Sequence, residues 1–228
     1  MARKEEEKKL SIEEKAQAKV TSFFVKNRVA ILIAIAAVVV VVIGLFVILG
    51  INSSKAEKLQ LQIQDLQGQL STVLTSEDQA VKDKYVADLK ALAGLGGKSY
   101  PAVKASYLLG LYYSALDTPD YASAITFYKA AYDAGKTTYL GALALYNLAV
   151  VTEENGDSAA ALELYNQCYD EFSDDVEYAV SEKALFSSAR LYEANGNKDL
   201  AKANYQVLAD SFSYSEYGKL SAAKLLVL

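Results

Sequence analysis

An uninterrupted apolar run at residues 29–51 constrains this 228-residue chain more than any other feature. Its 23 residues include no charged side chain and contain five consecutive valines at positions 38–42. As a helix rising ~1.5 Å per residue, the run is long enough to cross a hydrocarbon core of about 30 Å. In lipid, only a helix satisfies all backbone groups within one segment, which outweighs the strand preference of valine. We therefore predict a single transmembrane helix at residues 29–51.

Two other interpretations of this run fit the sequence less well. A cleaved signal peptide has a shorter leading segment, an apolar region of about 7–15 residues and a small-residue cleavage site, and none of these is present. A buried core helix would not continue for this length without a charge. We therefore expect an uncleaved membrane anchor.

The charges on either side of the run predict its orientation. Residues 1–28 carry eight Lys/Arg and five Glu, and Lys26 and Arg28 adjoin the run. Because positive charge is retained on the cytoplasmic side, the N-terminal tail at residues 1–28 should be cytoplasmic. We expect a protein of the cytoplasmic (inner) membrane whose C-terminal domain is periplasmic or otherwise extracytoplasmic.

Composition excludes most catalytic chemistry. The chain contains no His and one Cys, Cys168, so it lacks the usual general base, the commonest metal ligand and any intramolecular disulfide. Cys168 falls at a core-facing helical position and is interpreted as a small apolar filler. We expect no catalytic residue, no cofactor site and no metal site, and therefore not an enzyme. Residues 52–228 hold 15 Lys/Arg and 23 Asp/Glu, and this acidic balance disfavours nucleic acid as a partner.

An internal repeat organises the chain beyond the apolar run. The pattern Ala-x3-Tyr-x2-(small or apolar) recurs three times, as Ala124/Tyr128/Ala131, Ala161/Tyr165/Cys168 and Ala201/Tyr205/Leu208. A preceding helix and turn accompany each copy, and they contribute Leu109, Gly110 and Tyr113; Leu145, Leu148, Ala149 and Gly156; and Ala189, Tyr192 and Gly196. Each Gly after a helical stretch indicates a helix stop, and Asp157 indicates the N-cap of the next helix. The pattern predicts three helix pairs that bury these residues.

These residues resemble the tetratricopeptide repeat family, most closely at Leu109-Gly110-x2-Tyr113 and at Ala161-x3-Tyr165. The spacings of 37 and 40 depart from the family's 34, and no proline follows the second helices. The resemblance implies an all-α solenoid at residues 76–228, with about three helix pairs and terminal capping helices. A generic helical bundle is the alternative.

A second apolar pattern lies between the run and the repeats. Leu59, Ile63, Leu66, Leu70 and Val73 recur at spacings of 4-3-4-3. This predicts a helical, coiled-coil-like linker at residues 52–75. The stripe fits either a short dimer seam or a helix packed against the repeat domain.

Repeat solenoids present a groove to other proteins, so the resemblance implies a protein-interaction scaffold. Tyr112 and Tyr146 are the candidate protein-binding residues, predicted to be exposed in that groove. The layout of tail, span and repeats also resembles that of the ancillary subunit of the bacterial Sec translocon. The segments at residues 100–109 and 122–131 carry the local resemblance to that family. That likeness implies partners among membrane or envelope proteins, including the translocon or chaperones, and a role in their translocation, chaperoning or assembly.

The alternative function is structural. In that interpretation the helix at residues 55–74 associates with its copy in a homo-oligomeric envelope protein, and the repeats only act as a spacer.

Overall fold

The computed structural model describes residues 12–174 and 179–228. Before residue 54 it describes side chains only at positions 17, 19–23, 25–28, 38, 39, 41 and 42. The chain divides into two compact units, Met1–Glu57 and Lys58–Leu228.

Every element within the described ranges is an α-helix, which confirms the predicted all-α class for that part of the chain. The helices are α1 (Ile12–Leu74), α2 (Gln79–Ala93), α3 (Tyr100–Ser114), α4 (Tyr121–Gly135), α5 (Tyr139–Glu154), α6 (Ser158–Phe172), α7 (Val180–Ala194), α8 (Lys198–Ser211) and α9 (Glu216–Leu225).

The first unit contains the N-terminal part of α1, whose backbone range includes the predicted span. Apart from Val38, Val39, Val41 and Val42, all four exposed, the side chains of residues 29–51 lie outside the described part of the chain. Residues 1–11 of the predicted tail lie outside it as well. Within the described residues, no helix combines the length and the apolar character needed to cross a bilayer.

The apolar stripe of the predicted linker belongs to the core of the second unit. Ile63, Leu66 and Val73 are buried in one cluster with Leu89 of α2 and Leu108 of α3. The stripe therefore packs against other helices of the same domain, which is one of the two arrangements that the sequence allows. The second unit begins at Lys58, so it includes part of the linker predicted at residues 52–75 as well as the repeats predicted at residues 76–228.

Local sequence signals end and start the helices of each pair. Gly156 and Gly196 follow α5 and α7 with φ of 91° and 77°, a left-handed conformation that favours glycine. Asp157 caps α6 by accepting a hydrogen bond from the Ala160 N–H at 3.0 Å, as the sequence predicts. Asp120 and Asn197 cap α4 and α8 in the same way. The turns are therefore short and the paired helices run antiparallel.

The second unit has two layers of helices. The first helices of the pairs, α3, α5 and α7, approach one another closely in series and continue to α9. Among the described residues, no such close approach joins α4 to α6 or α6 to α8. Because the first helices lie closer together than the second helices, they form the inner face of the stack.

The predicted repeat-core residues lie mainly between these layers. The buried ones are Leu109, Gly110, Ala124, Tyr128, Ala131, Leu145, Leu148, Ala149, Ala161, Tyr165, Cys168, Ala189, Ala201, Tyr205 and Leu208. Tyr113 and Tyr192 are only half-buried, because they lie at the margins of the layers: Tyr113 stacks on Phe127 and Tyr192 accepts a hydrogen bond from Asn166. Gly156 and Gly196 are exposed in their turns.

Candidate functional site

A repeated aromatic contact joins the two layers in every helix pair. An aromatic residue of the first helix packs on the buried tyrosine of the second, with ring centroids 5.6–5.8 Å apart. The pairs are Tyr107–Tyr128, Tyr146–Tyr165 and Phe186–Tyr205. Sequence reasoning identifies the second member of each pair. Of the first members it names only Tyr146, as a binding candidate and not as a packing partner. The signal was present, since the first members are 39 and 40 residues apart.

The aromatic residues of the first helices differ in exposure along the inner face. Tyr107 is buried, and its hydroxyl accepts a hydrogen bond from Asn147 Nδ2 at 2.9 Å across the α3–α5 joint. Tyr146 and Phe186 are half-buried, as is Val150 on α5. Together with Leu143, which lies nearest α3, these partly exposed apolar side chains form the inner strip: Leu143, Tyr146, Val150 and Phe186.

The two tyrosines predicted to bind partners have different surroundings. Tyr146 belongs to the inner strip and lies near Tyr217 of α9. Burial, followed by the neighbouring Tyr146, raises the pKa of Tyr217. Tyr112 is only 5% exposed, so the prediction that it is an exposed groove residue is wrong. It falls on the opposite side of α3, where its ring contacts those of Tyr85 and Tyr113.

A carboxylate connects three helices at the α5–α7 joint. Glu153, in the last turn of α5, accepts a hydrogen bond from the Tyr165 hydroxyl at 3.0 Å. The Nη2 atom of Arg190 on α7 donates to both carboxylate oxygens of Glu153, at 2.6 and 2.7 Å. This joint therefore binds one helix pair to the next through a shared anion.

The α7–α9 joint repeats this arrangement 40 residues later. Glu193 accepts from the Tyr205 hydroxyl at 3.0 Å and from Lys224 Nζ at 2.9 Å. The bond from Lys224, followed by that from Tyr205, lowers the pKa of Glu193. At the α3–α5 joint, Ser114 stands in the carboxylate's place, 3.4 Å from the Tyr128 hydroxyl. The recurrence of a Glu twelve residues before the repeat Tyr was the sequence signal for these joints.

Cys168 lies in the core, as the sequence predicts. It is fully buried, and burial, followed by the charge of Glu171, raises the pKa of its thiol to about 12. A thiol that stays protonated and inaccessible is not suited to nucleophilic chemistry.

Two segments of the chain match the model of a known repeat family. Residues 143–175 and 183–213 match the family model described as a tetratricopeptide repeat. No curated protein and no solved structure matches the chain. The narrower resemblance to a translocon subunit therefore receives no support from these comparisons.

The matched segments fall on two consecutive helix pairs. They cover most of α5–α6 and of α7–α8. The pair α3–α4 lies outside them but contains the same buried Ala124 and Tyr128. Helix pairs α5–α6 and α7–α8 are thus similar to tetratricopeptide repeats, a repeat that generally mediates binding to other proteins.

Proposed function

We propose that this chain is a membrane-anchored scaffold that binds segments of other proteins along the inner strip of its repeat domain. The observation that carries this proposal is the half-exposed row formed by Leu143, Tyr146, Val150 and Phe186. Aromatic and aliphatic side chains on a pre-formed face provide large contact area at little conformational cost. The tetratricopeptide match of α5–α8 supports a binding role for the same helices.

The binding proposal is tested with peptides selected from a random display library on the full chain in mild detergent. Replacing Tyr146→Ser should weaken the selected peptides by about tenfold or more, since buried aromatic anchors dominate interfaces. Tyr214→Ser is the matched control, because Tyr214 is 95% exposed between α8 and α9, and it should change affinity by less than about twofold.

A second variant separates lost contact from lost folding. Tyr146 packs on Tyr165, so its loss could loosen the domain. Val150→Asn changes the inner strip without touching an aromatic pair, and it should weaken the same peptides while thermal melting is retained. Equal affinity of wild type and both inner-strip variants would refute binding at this face.

The membrane part of the proposal rests on the apolar run at residues 29–51 and on the charge bias before it. We place the tail in the cytoplasm and the repeat domain outside the cytoplasmic membrane, where membrane or envelope proteins in translocation, chaperoning or assembly are the partners expected. Alkaline carbonate washing should leave the chain in the membrane fraction. Release into the supernatant would contradict the anchor.

Topology is tested with engineered cysteines, because the native Cys168 is buried. An impermeant maleimide added to intact cells should label Lys202→Cys and should label Gln17→Cys only after permeabilisation. The reverse pattern would place the repeat domain in the cytoplasm.

The structural, homo-oligomeric alternative is less well supported. Its proposed contact surface includes Ile63, Leu66 and Val73, and these side chains are already buried within the repeat domain. Self-association through this stripe would require the helix to leave that core.

A further inference from the structure

A cleft of about 340 Å³ opens between the N-terminal halves of α3 and α5. Val103, Leu140 and Leu143 form its apolar floor, and the last of these also begins the inner strip. Tyr100 and Tyr139 stand at its sides with about half of each residue exposed. This volume is at the lower end of the ~300–1,000 Å³ range of ligand pockets. The cleft therefore has room for one or two side chains of a partner.

The charge of the cleft is opposite to that of the domain around it. The charged residues among its described lining are Lys98 and Lys104, with no carboxylate beside them. The domain as a whole is acidic, with 15 Lys/Arg and 23 Asp/Glu in residues 52–228. The acidic domain repels acidic partner surfaces in general. A partner carboxylate that reaches into the cleft is attracted by the two lysines instead.

Lys104 is held in a defined position. Its Nζ lies 5.4 Å from the centroid of the Tyr107 ring, a cation–π distance, and burial lowers its pKa. A partly desolvated ammonium gains more from a nearby carboxylate than a fully hydrated one does. The first residues of α3 and α5, Tyr100 and Tyr139, both line the cleft, so the positive ends of two helix dipoles lie beside it.

We propose that this cleft binds a bulky apolar side chain with a neighbouring Asp or Glu, presented by an extended segment of a partner protein. The apolar side chain occupies the floor formed by Val103, Leu140 and Leu143, and the carboxylate lies between Lys98 and Lys104. This inference rests on the proposed protein-binding function and specifies the partner sequence that the α3 end of the inner strip selects.

The test is a parallel selection of a random 12-residue peptide display library on three forms of the full chain in detergent. The forms are wild type, the double variant Lys98→Gln/Lys104→Gln and the control Lys202→Gln/Lys219→Gln, which loses the same charge at exposed lysines of α8 and α9. Synthetic peptides made from the enriched sequences, with amidated C-termini, are then titrated by fluorescence anisotropy at low and high salt.

We expect wild type and control to enrich an acidic residue next to a bulky apolar one. The double variant should bind these peptides about tenfold more weakly, which is about 1.4 kcal/mol. The difference between wild type and double variant should shrink at high salt. Leu143→Ser should reduce the enrichment of the apolar residue without removing that of the acidic one. Thermal melts of each variant verify that it is folded.

The outcomes separate this inference from the proposed function. Enriched peptides that lack an acidic residue, or that keep full affinity for the double variant, would overturn the inference. If Tyr146→Ser still weakens the binding of those peptides, the proposed binding along the inner strip stands. No enrichment on any form would overturn both. Absence of peptide enrichment together with saturable, Lys104-dependent binding of glycerol phosphate would assign the cleft to an anionic lipid headgroup and refute the peptide proposal.

Discussion

Gly141 determines how closely the start of α5 approaches the end of α4. A Cβ atom at this position would lie 2.0 Å from the Gly135 carbonyl oxygen, a distance that requires the backbone to move. Gly218 repeats the relation at the start of α9, where a Cβ would lie 2.0 Å from the Phe212 carbonyl oxygen. At the scale of single residues, backbone contact thus decides which positions tolerate no side chain.

Replacing Gly141→Ala should lower the free energy of unfolding by about 1–3 kcal/mol, because the inserted methyl forces two helix ends apart. Gly68→Ala is the matched control. Gly68 is an exposed helical residue with no atom within 4 Å of the added methyl, so helix propensity should raise stability by about 0.5–1 kcal/mol. Urea unfolding followed by circular dichroism measures both changes, and equal effects would show that α4 and α5 do not meet as described.

Residue-scale reasoning from sequence alone found the buried Ala and Tyr positions but misplaced Tyr112. A helical spacing defines a face of a helix, but it does not say which neighbour covers that face. Tyr112 is covered because α2 supplies Tyr85 on that side of α3. The sequence does not predict that α2 covers this side of α3.

Helices in this domain are joined by shared carboxylates as well as by apolar packing. The Glu193 joint is pH-dependent, since Lys224 and Tyr205 hold the pKa of Glu193 below its usual range. Its stabilisation is present above the unfolded-state value of about 4.3 and is lost as the pH falls through the lower folded value. The α5–α7 joint is likewise built from a glutamate and a tyrosine, with Arg190 in place of the lysine.

Removing either partner of the α5–α7 joint should cost about 1 kcal/mol, because the pair is only partly shielded from water. In a double-mutant cycle, Glu153→Gln and Arg190→Gln should therefore be non-additive by a few tenths to about 1 kcal/mol. Glu154→Gln is the neighbouring exposed control and should not couple to Arg190. Additive effects of the first two changes, measured by urea unfolding, would mean that the ion pair does not connect the helix pairs.

The C-terminal part of α1 provides a second test at this scale. Leu66→Asp should destabilise the domain by several kcal/mol, since it buries a charge in the cluster with Leu89. Leu61→Asp, at an exposed position on the same helix, should change stability by less than about 0.5 kcal/mol. Thermal melts distinguish the two positions, and similar behaviour of both variants would place the stripe outside the core.

The order of helices was largely predictable from sequence, and the partner of each helix was only partly so. Gly156 and Asp157 marked the turn between α5 and α6, because a left-handed glycine and a side-chain cap are local signals. For the stripe that contains Ile63, the sequence allows two alternatives, and packing on α2 and α3 is one of them. A stripe at heptad spacing buries equally well against a second copy or against its own chain, so periodicity alone does not choose between them.

At the scale of the whole domain, many tyrosine hydroxyls lie inside the stack. Burial raises the pKa of Tyr85 to about 12, and burial also raises the pKa values of Tyr128, Tyr165 and Tyr205. For Tyr165 and Tyr205, the carboxylates of Glu153 and Glu193 add to the rise. The unfolded chain releases these protons first, at about pH 10, so folding depends on keeping them bound.

Stability should therefore be fully present below about pH 10 and should fall as the pH rises toward the folded values. In an alkaline titration, tyrosinate absorbance from these buried residues should appear together with the loss of helical circular dichroism. Tyr214→Phe, at a fully exposed position, should leave the midpoint of unfolding unchanged. A rise of the buried tyrosinate signal while the helical signal stays constant would show that these phenols ionise within the folded domain.

The two carboxylate joints determine how such a chain can change in length. Glu153 lies at the end of α5, the first helix of its pair, yet its partner Arg190 belongs to the next pair. Glu193 at the end of α7 is joined in the same way to Lys224 of α9. A duplication or deletion cut at the turns between helix pairs would therefore separate an anion from its cation. An evolutionary or engineered change that keeps the joints intact is cut inside the helix pairs instead, at the turns that follow Glu153 and Glu193. The exchangeable module of this domain is thus offset by about half a repeat from the segments that resemble the family.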